Sequence, residues 1–364
     1  MFGKTGLHGN VIAAVVCLLA CGPHPVTAQV PWTFRWGVQR PDLVRYNRVE
    51  GLSLGARLQA RLRASRSPVS LFVTGRAASA RHQPQGTIEL VNEPLSRRVS
   101  VSLFREISAL DEEAGHLAIG NSLTGLLFGR DEGDYFMRTG MSVQWSPHSA
   151  ARESFRVRVY GEDHDPVDRV ADFFVVRAVD GDRAFRDNLV TDAVREYGVL
   201  VMASPWWGRD PHRVRGGVRV TARAATGDRD HVSLAGEGRL VVPLVRDLRW
   251  DMTLGGAGLG GDPPAQRLLG AGGIGSARGY PPLSMRGTRL VRGRGELIRD
   301  FPFGSLLVFT DLAWAGEGAP VWSDALATAG GGVRLVDGLI RLDGGWALRT
   351  PHGFRADLYL DGIH

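Results

Sequence analysis

Val49 to Leu62 reads VEGLSLGARLQARL, and its alternation decides the fold. Leu52, Leu54, Ala56, Leu58, Ala60 and Leu62 fall on one face of an extended chain, with Ser53, Arg57, Gln59 and Arg61 on the other. Successive side chains of a strand point to opposite sides, so this period of two makes one apolar and one polar surface. The pattern returns in both directions. Phe155, Val157 and Val159 alternate with Arg156, Arg158 and Tyr160, and Val218, Val220, Ala222 and Ala224 alternate with Arg219, Thr221 and Arg223. Leu248, Trp250, Met252 and Leu254 alternate with Arg249, Asp251 and Thr253, and Phe354, Ala356, Leu358 and Leu360 alternate with Arg355, Asp357, Tyr359 and Asp361.

A soluble antiparallel sandwich also alternates. Two features point elsewhere: arginine dominates the polar face, and the segments run to roughly 10 residues, the length that crosses a hydrocarbon layer at a tilt of about 45°. An apolar exterior in lipid forces closure, because an open edge would leave N–H and C=O groups unpaired where no water reaches them. The expected fold is therefore all-β: a transmembrane antiparallel β-barrel with bulky charges in a wet lumen.

The spacing predicts strands near 49–62, 69–80, 98–107, 117–128, 135–146, 153–162, 170–178, 196–207, 213–224, 230–243 and 247–258. After a long glycine-rich connection, five more follow near 288–299, 304–314, 325–336, 339–348 and 353–361. That is about 16 strands, with Gly86 to Val91 as a further candidate, and single-chain bacterial barrels favour even numbers. The domain plan is a signal peptide over 1–28, a short periplasmic leader over 29–46 and one barrel over 47–364.

The first residues fit export. Lys4 precedes an apolar stretch from Val11 to Ala20 and small residues ending in Val26, Thr27, Ala28, the layout of a secretory signal cleaved after Ala28. Leu18, Leu19, Ala20, Cys21 also forms a lipoprotein processing site, which would lipidate Cys21. Cys17 and Cys21 are the only cysteines, so no disulfide is expected beyond the signal. The sequence carries 48 glycines, 43% hydrophobic residues and a net charge of +6, and Lys4 is its one lysine. The arginines are spread singly along alternating segments, whereas nucleic-acid binders cluster their basic residues, so nucleic acid is not an expected partner.

Several motifs dissolve on inspection. Gly256, Gly258, Gly261 and Gly270, Gly272, Gly275 have dinucleotide spacing, but no helix follows to receive a pyrophosphate. Asp163, His164 and Asp165 are read as an exposed turn, since consecutive residues point apart and no further ligands are spaced with them. Ser70 and Ser233 lie in no nucleophile motif. No cofactor, metal or catalytic residue is expected, and the protein is not read as an enzyme.

Gly270 to Gly316 is the most specific stretch, reading GAGGIGSARGYPPLSMRGTRLVRGRGELIRDFPFGSLLVFTDLAWAG. It resembles the C-terminal barrel of the bacterial surface antigen family, which includes BamA-like and TamA-like assembly barrels and two-partner secretion transporters. In that family a long sixth surface loop carries an RGY or RGF tip folded into the lumen, the next strand carries a glutamate, and the following one an F-x-D-x-G motif. Arg278, Gly279 and Tyr280 match the tip, Glu296 the glutamate, and Phe309 and Asp311 the last motif. Tyr46, Asn47, Arg48, Val49, Glu50 and Gly51 also resemble the family's first barrel strands.

The resemblance implies that Arg278 pairs with Asp311, with Glu296 as a secondary partner. Arginine's planar fork suits a carboxylate in a shielded lumen. It further implies an outer-membrane location, membrane lipid as a partner, and unfolded client polypeptides or accessory periplasmic proteins as others. The implied role is insertion or translocation of polypeptides through a seam between 49–62 and 353–361; Gly51, Gly55 and Gly353 are candidates for loosening it, although glycine in a barrel strand also simply permits curvature, which is the favoured reading for each. The alternative is a passive channel, adhesin or structural barrel. Ala277 and Ala313 depart slightly from the family pattern, the chain ends Asp361, Gly362, Ile363, His364 without a terminal aromatic, and Pro31 to Tyr46 is too short for a POTRA domain.

Overall fold

Residues 304–316 show how the wall is oriented. Phe309, Asp311 and Ala313 are buried, whereas Leu306, Val308 and Leu312, on the opposite face of the strand, are exposed. In the computed structural model this inversion, charge inward and leucine outward, recurs around the wall, as a barrel in lipid requires. Residues 32–37, 41–64, 67–94, 97–111, 115–147, 154–178, 184–336 and 340–360 are described. The expected signal peptide, with Ala28 and Cys21, and residues 361–364 lie outside them.

The chain runs β1 (Trp32–Trp36), β2 (Val44–Asn47), β3 (Gly51–Ala64), β4 (Ser67–Ala78), β5 (Gln85–Asn92), β6 (Arg97–Ala109), helix α1 (Ile119–Phe128), β7 (Tyr135–Pro147) and β8 (Phe155–Pro166). There follow β9 (Val194–Ala203), β10 (Trp206–Trp207), β11 (Arg215–Gly227), β12 (His231–Val245), β13 (Leu248–Gly261), β14 (Leu269–Ala271) and β15 (Met285–Gly287). The last five are β16 (Arg289–Phe301), β17 (Gly304–Gly316), β18 (Leu326–Leu335), β19 (Ile340–Ala347) and β20 (Gly353–Leu360).

Each wall strand pairs antiparallel with the next, β9 passing to β11 and β13 to β16. β1 and β2 lie end to end along β3, and the two-residue β10 extends the line of β9 along β11, so the 18 strands of the sheet fill 16 positions. β14 and β15 form a separate small ribbon within the connection between β13 and β16. The wall has a long-loop end and a short-turn end. Trp145, Trp206, Trp207, Trp250 and Phe303 are exposed near the turns, and Trp322, Trp346 and Phe354 near the loops. Two such aromatic bands are what lipid interfaces select.

Gly86 to Val91 is indeed a strand, within β5. Three readings change. Residues 117–128, expected as a strand, hold helix α1 instead. Ile119, Leu123, Leu126 and Leu127 recur at helical spacing, and Gly129 in the left-handed region (φ 70) ends the helix by donating to Gly125. Residues 170–178, also expected as a strand, are irregular and close with a 3-10 turn, Val175–Ala178. Phe174 packs with Tyr46 and Phe185, while Val170, Phe173 and Val175 stay exposed, and the segment does not join the wall.

The third change concerns 29–46, expected as a leader. Trp32–Trp36 and Val44–Asn47 instead pair with Ala56–Ala60 and Gly51–Leu54 on the outer edge of β3. The seam cannot then be formed directly by 49–62, whose two edges carry β4 on one side and β1 and β2 on the other. Gly51 is the first residue after the β2–β3 turn (φ +71), and Gly55 faces Leu43 and Arg76. Gly353 pairs with Ala347 on β19.

Candidate functional site

The connection between β13 and β16 turns back into the barrel. Its ribbon, β14 and β15, starts the fold-back, and Gly272 and Gly273, both at positive φ, tighten the chain behind it. A Cβ on Gly272 would stand 2.1 Å from the Pro281 carbonyl oxygen, which restricts this position to glycine. Gly273 N–H donates to the Tyr280 carbonyl, and Tyr280 N–H to that of Ala277, so the tip is a compact turn. The short Ala277 side chain is wholly buried in a cluster with Ala271, Tyr280, Ala313, Ala315, Leu326 and Ala347.

Arg278 is fully buried and lies at the centre of the lumen network. Its Nε donates to Asp311 Oδ2 at 2.8 Å and its Nη2 to Asp311 Oδ1 at 2.6 Å, a two-pronged contact. Its main-chain N–H also reaches Asp311 Oδ2 at 3.1 Å. Nη1 donates to Glu296 Oε1 at 2.6 Å and to Asp343 Oδ2 at 3.0 Å. The guanidinium carbon stands 3.4 Å from the centre of the Phe309 ring, which supplies an aromatic face. Asp311, Glu296 and Asp343 come from β17, β16 and β19, so one loop residue ties three strands.

The neighbouring tip residues fit as closely. A Cβ on Gly279 would lie 2.7 Å from the Ala347 nitrogen, so the loop passes against the wall with no room for a side chain. Tyr280 is buried; its hydroxyl donates to the Arg349 carbonyl at 2.8 Å and accepts from Arg349 N–H at 3.1 Å. The sequence-derived set Arg278, Gly279, Tyr280, Glu296, Phe309 and Asp311 thus meets at one place, whereas Gly51, Gly55 and Gly353 do not join it.

Asp343 was missed by the sequence reading, as was Arg341, which donates to Glu296 at 2.6 Å and to Asp343 at 2.9 Å. A signal existed: Arg341 and Asp343 alternate with Leu342 and so share the inward face of β19. Arg334 adds a bond to Glu296 at 3.0 Å, and Arg294 lies 3.4 Å from Asp311. Each buried carboxylate therefore meets more than one arginine, which offsets the cost of taking it out of water.

A second anchor holds the start of the same connection. Arg267 donates to Glu196 Oε1 at 2.9 Å and Glu162 Oε1 at 3.0 Å, while Gln266 contacts the His164 ring at 2.9 Å. His164 is thus buried inside β8 rather than in an exposed turn, because β8 extends to Pro166 and its inward face carries Glu162 and His164. Among the described residues no cluster of histidine, cysteine or carboxylates has the arrangement of a metal site.

A third anchor lies at the β2–β3 turn. Arg48 is fully buried; it donates to Asp134 Oδ1 at 2.6 Å and to the Asp131 carbonyl at 2.8 Å, and its main-chain N–H to Asp131 Oδ2 at 2.8 Å. Arg186 joins Asp134 at 2.7 and 2.8 Å. In the same turn Glu50 accepts from Arg45 at 2.8 Å and Asn47 at 2.6 Å. Burial pushes the Glu50 carboxyl up, but Arg45 and the hydrogen bonds of Asn47 and Gln85 outweigh it and hold it below the ordinary value.

Fold and site together define the class: an outer-membrane-type 16-position β-barrel with a loop folded inward and pinned by a buried arginine. Among solved structures, BamA from Haemophilus ducreyi lacking POTRA domains 1–3 aligns with a TM-score of 0.57 at 13% identity, over 91% of this chain and 71% of that one. CdiB from Acinetobacter baumannii aligns with a TM-score of 0.44 at 11% identity, over 87% of this chain and 58% of that one. At 13% identity the likeness to the BamA barrel is one of fold. No protein-family profile matches the chain, and no curated protein matches it in sequence.

Proposed function

We propose that this barrel inserts or translocates polypeptides at the outer membrane, taking unfolded client chains as cargo and lipid as its surroundings. Main-chain pairing at a strand edge supplies the affinity in such a scheme, and no covalent chemistry is required. The observation that carries the reading is the depth at which Arg278 is held. A long loop folded into the lumen and pinned to three strands obstructs a pore, which a simple channel does not need. The test is reconstitution into vesicles with an unfolded outer-membrane protein as client. Faster acquisition of a folded, protease-resistant client than in empty vesicles supports the reading. No acceleration, together with a large steady conductance in planar bilayers that client leaves unchanged, defeats it.

One observation favours the second reading, a passive channel. Below the loop tip the lumen holds a cavity of about 300 Å³ whose lining includes Arg219, Arg239, Arg292, Arg334, Glu237 and Asp251. Arginine exceeds carboxylate along this wall, and a surplus of positive charge favours anions. Anion-selective reversal potentials in a salt gradient, without any client effect, would support the channel over the insertase.

A further inference from the structure

Helix α1 stands where a ladder between the first and last strands would run. Among the described residues, β20 pairs with β19 and β1 and β2 pair with β3, but no ladder joins β20 to β1 or β2. The segment 119–134 contacts both sides of that gap. On the β2 side, Ser122 Oγ accepts from the Tyr46 N–H at 3.0 Å, and Asp131 and Asp134 hold Arg48 in the adjoining turn. On the β20 side, Arg130 donates to the Ala356 carbonyl and lies 3.8 Å from Asp357, while Glu132 accepts from Arg355.

The Tyr46 amide and the Ala356 carbonyl are main-chain groups, which a sheet ordinarily satisfies from the neighbouring strand. Here a serine hydroxyl and an arginine do so, both from one segment. The helix residues buried here, Gly120, Ser122 and Gly125, are all small and allow a close approach, and Leu123, Leu127 and Phe128 are exposed. We propose that 119–134 is an internal strap that closes the seam and excludes any incoming strand from the edge of β20, an autoinhibitory contact built into the barrel. The inference rests on the preceding reading, in which edge pairing is how client is handled.

The two attachments differ in a way that sets the direction of release. Arg48, Asp131 and Asp134 have fully buried side chains, whereas on the β20 side Arg130 is 47% exposed and Arg355 and Glu132 keep 14% and 12%. The β20 contact therefore parts first, and the strap swings while still held at β2.

The test uses the full chain in lipid vesicles, with hydrogen exchange read segment by segment. Glu132→Arg sets like charges against Arg355, and Arg130→Ala removes the bond to Ala356 by a milder route. Each is expected to raise exchange about tenfold at 126–132 and 354–358, with 44–47, where the strap stays held, and the β12–β13 ladder unchanged. The exchanged pair Glu132→Arg with Arg355→Glu is expected to restore protection. Unchanged exchange in both single variants overturns the strap, and so does a rise that spreads equally to β12 and β13, since the contacts then support the whole barrel. If exchange rises only at the seam while client insertion stays flat, the strap stands and the insertase reading falls.

Discussion

Arg278 and Asp311, 33 residues apart in sequence, meet inside the lumen through both prongs of the guanidinium and the arginine's own main-chain N–H. The side chain fixes the charge and the amide fixes the backbone, so this pair sets loop position as well as loop attachment. An arginine is needed for both prongs; lysine offers a single point charge.

Arg278→Ala is accordingly expected to leave Asp311, Glu296 and Asp343 short of a shared cation. Removing one partner of a buried ion pair costs about 3 to 5 kcal/mol, and Arg341 and Arg294 keep the loss toward the lower figure. Arg278→Lys should recover part of it. Urea unfolding of the refolded barrel and protease cleavage within 262–288 measure the effect. Stability and cleavage both unchanged in Arg278→Ala would mean the loop is held by something else.

Gly279→Ala tests position without touching charge. Its Cβ would meet the Ala347 main chain, which cannot yield like a flexible side-chain end. Overpacking of this kind costs about 1 to 3 kcal/mol. The expected result is a loop that cleaves readily although Arg278 and Asp311 are intact. If Gly279→Ala matches the parent in cleavage, the close approach to the wall is not what seats the tip.

Much of this was legible in the sequence, and what was hidden has physical causes. Period-two alternation exposes a strand whose faces meet lipid and water, so Leu52 to Leu62 and Leu248 to Leu254 read plainly. It fails for Leu117 to Phe128, a short apolar run that fits a helix as well as a strand. Trp32, Phe34 and Trp36 do alternate with Thr33 and Arg35, but five residues next to an expected signal region carry little weight against a leader. The Arg278 tip was readable because its partners sit in ordered motifs on the next two strands. The bonds of Asp343 to Arg278 and of Arg48 to Asp131 and Asp134 were not, because they join segments distant in sequence, and one chain alone does not show which lumen charges face each other.

Arg48 provides a comparison with Arg278 at the other end of the barrel sequence. Arg48→Met should destabilise the loop end by about 3 kcal/mol by stranding Asp131 and part of Asp134. Arg186 still grips Asp134, whereas Asp131 loses the guanidinium 3.5 Å away and keeps neutral donors, among them the main-chain N–H of residue 48, Asn121 and Tyr135, so the larger share falls on Asp131. Adding Asp131→Asn to Arg48→Met should therefore recover stability, whereas Asp134→Asn should recover less. Exchange in 115–135 and urea midpoints report the order. The reverse order would place the dominant charge contact at Asp134.

Glu50 gives the turn a defined response to acid. Its carboxyl is held below its ordinary value when folded, so it binds protons less readily folded than unfolded. The stability it contributes is present above about pH 4.3, the unfolded value for glutamate, and is lost as pH falls through the lower folded value. Glu50→Gln should consequently be less stable than the parent at neutral pH, because Arg45 and Asn47 lose the carboxylate they share. The gap should narrow as pH drops below about 4, where the parent's own carboxylate becomes protonated. Urea midpoints of the two proteins at matched pH supply the comparison, together with exchange at 44–54. A gap that stays constant or widens in acid would show that Glu50 acts through packing rather than charge.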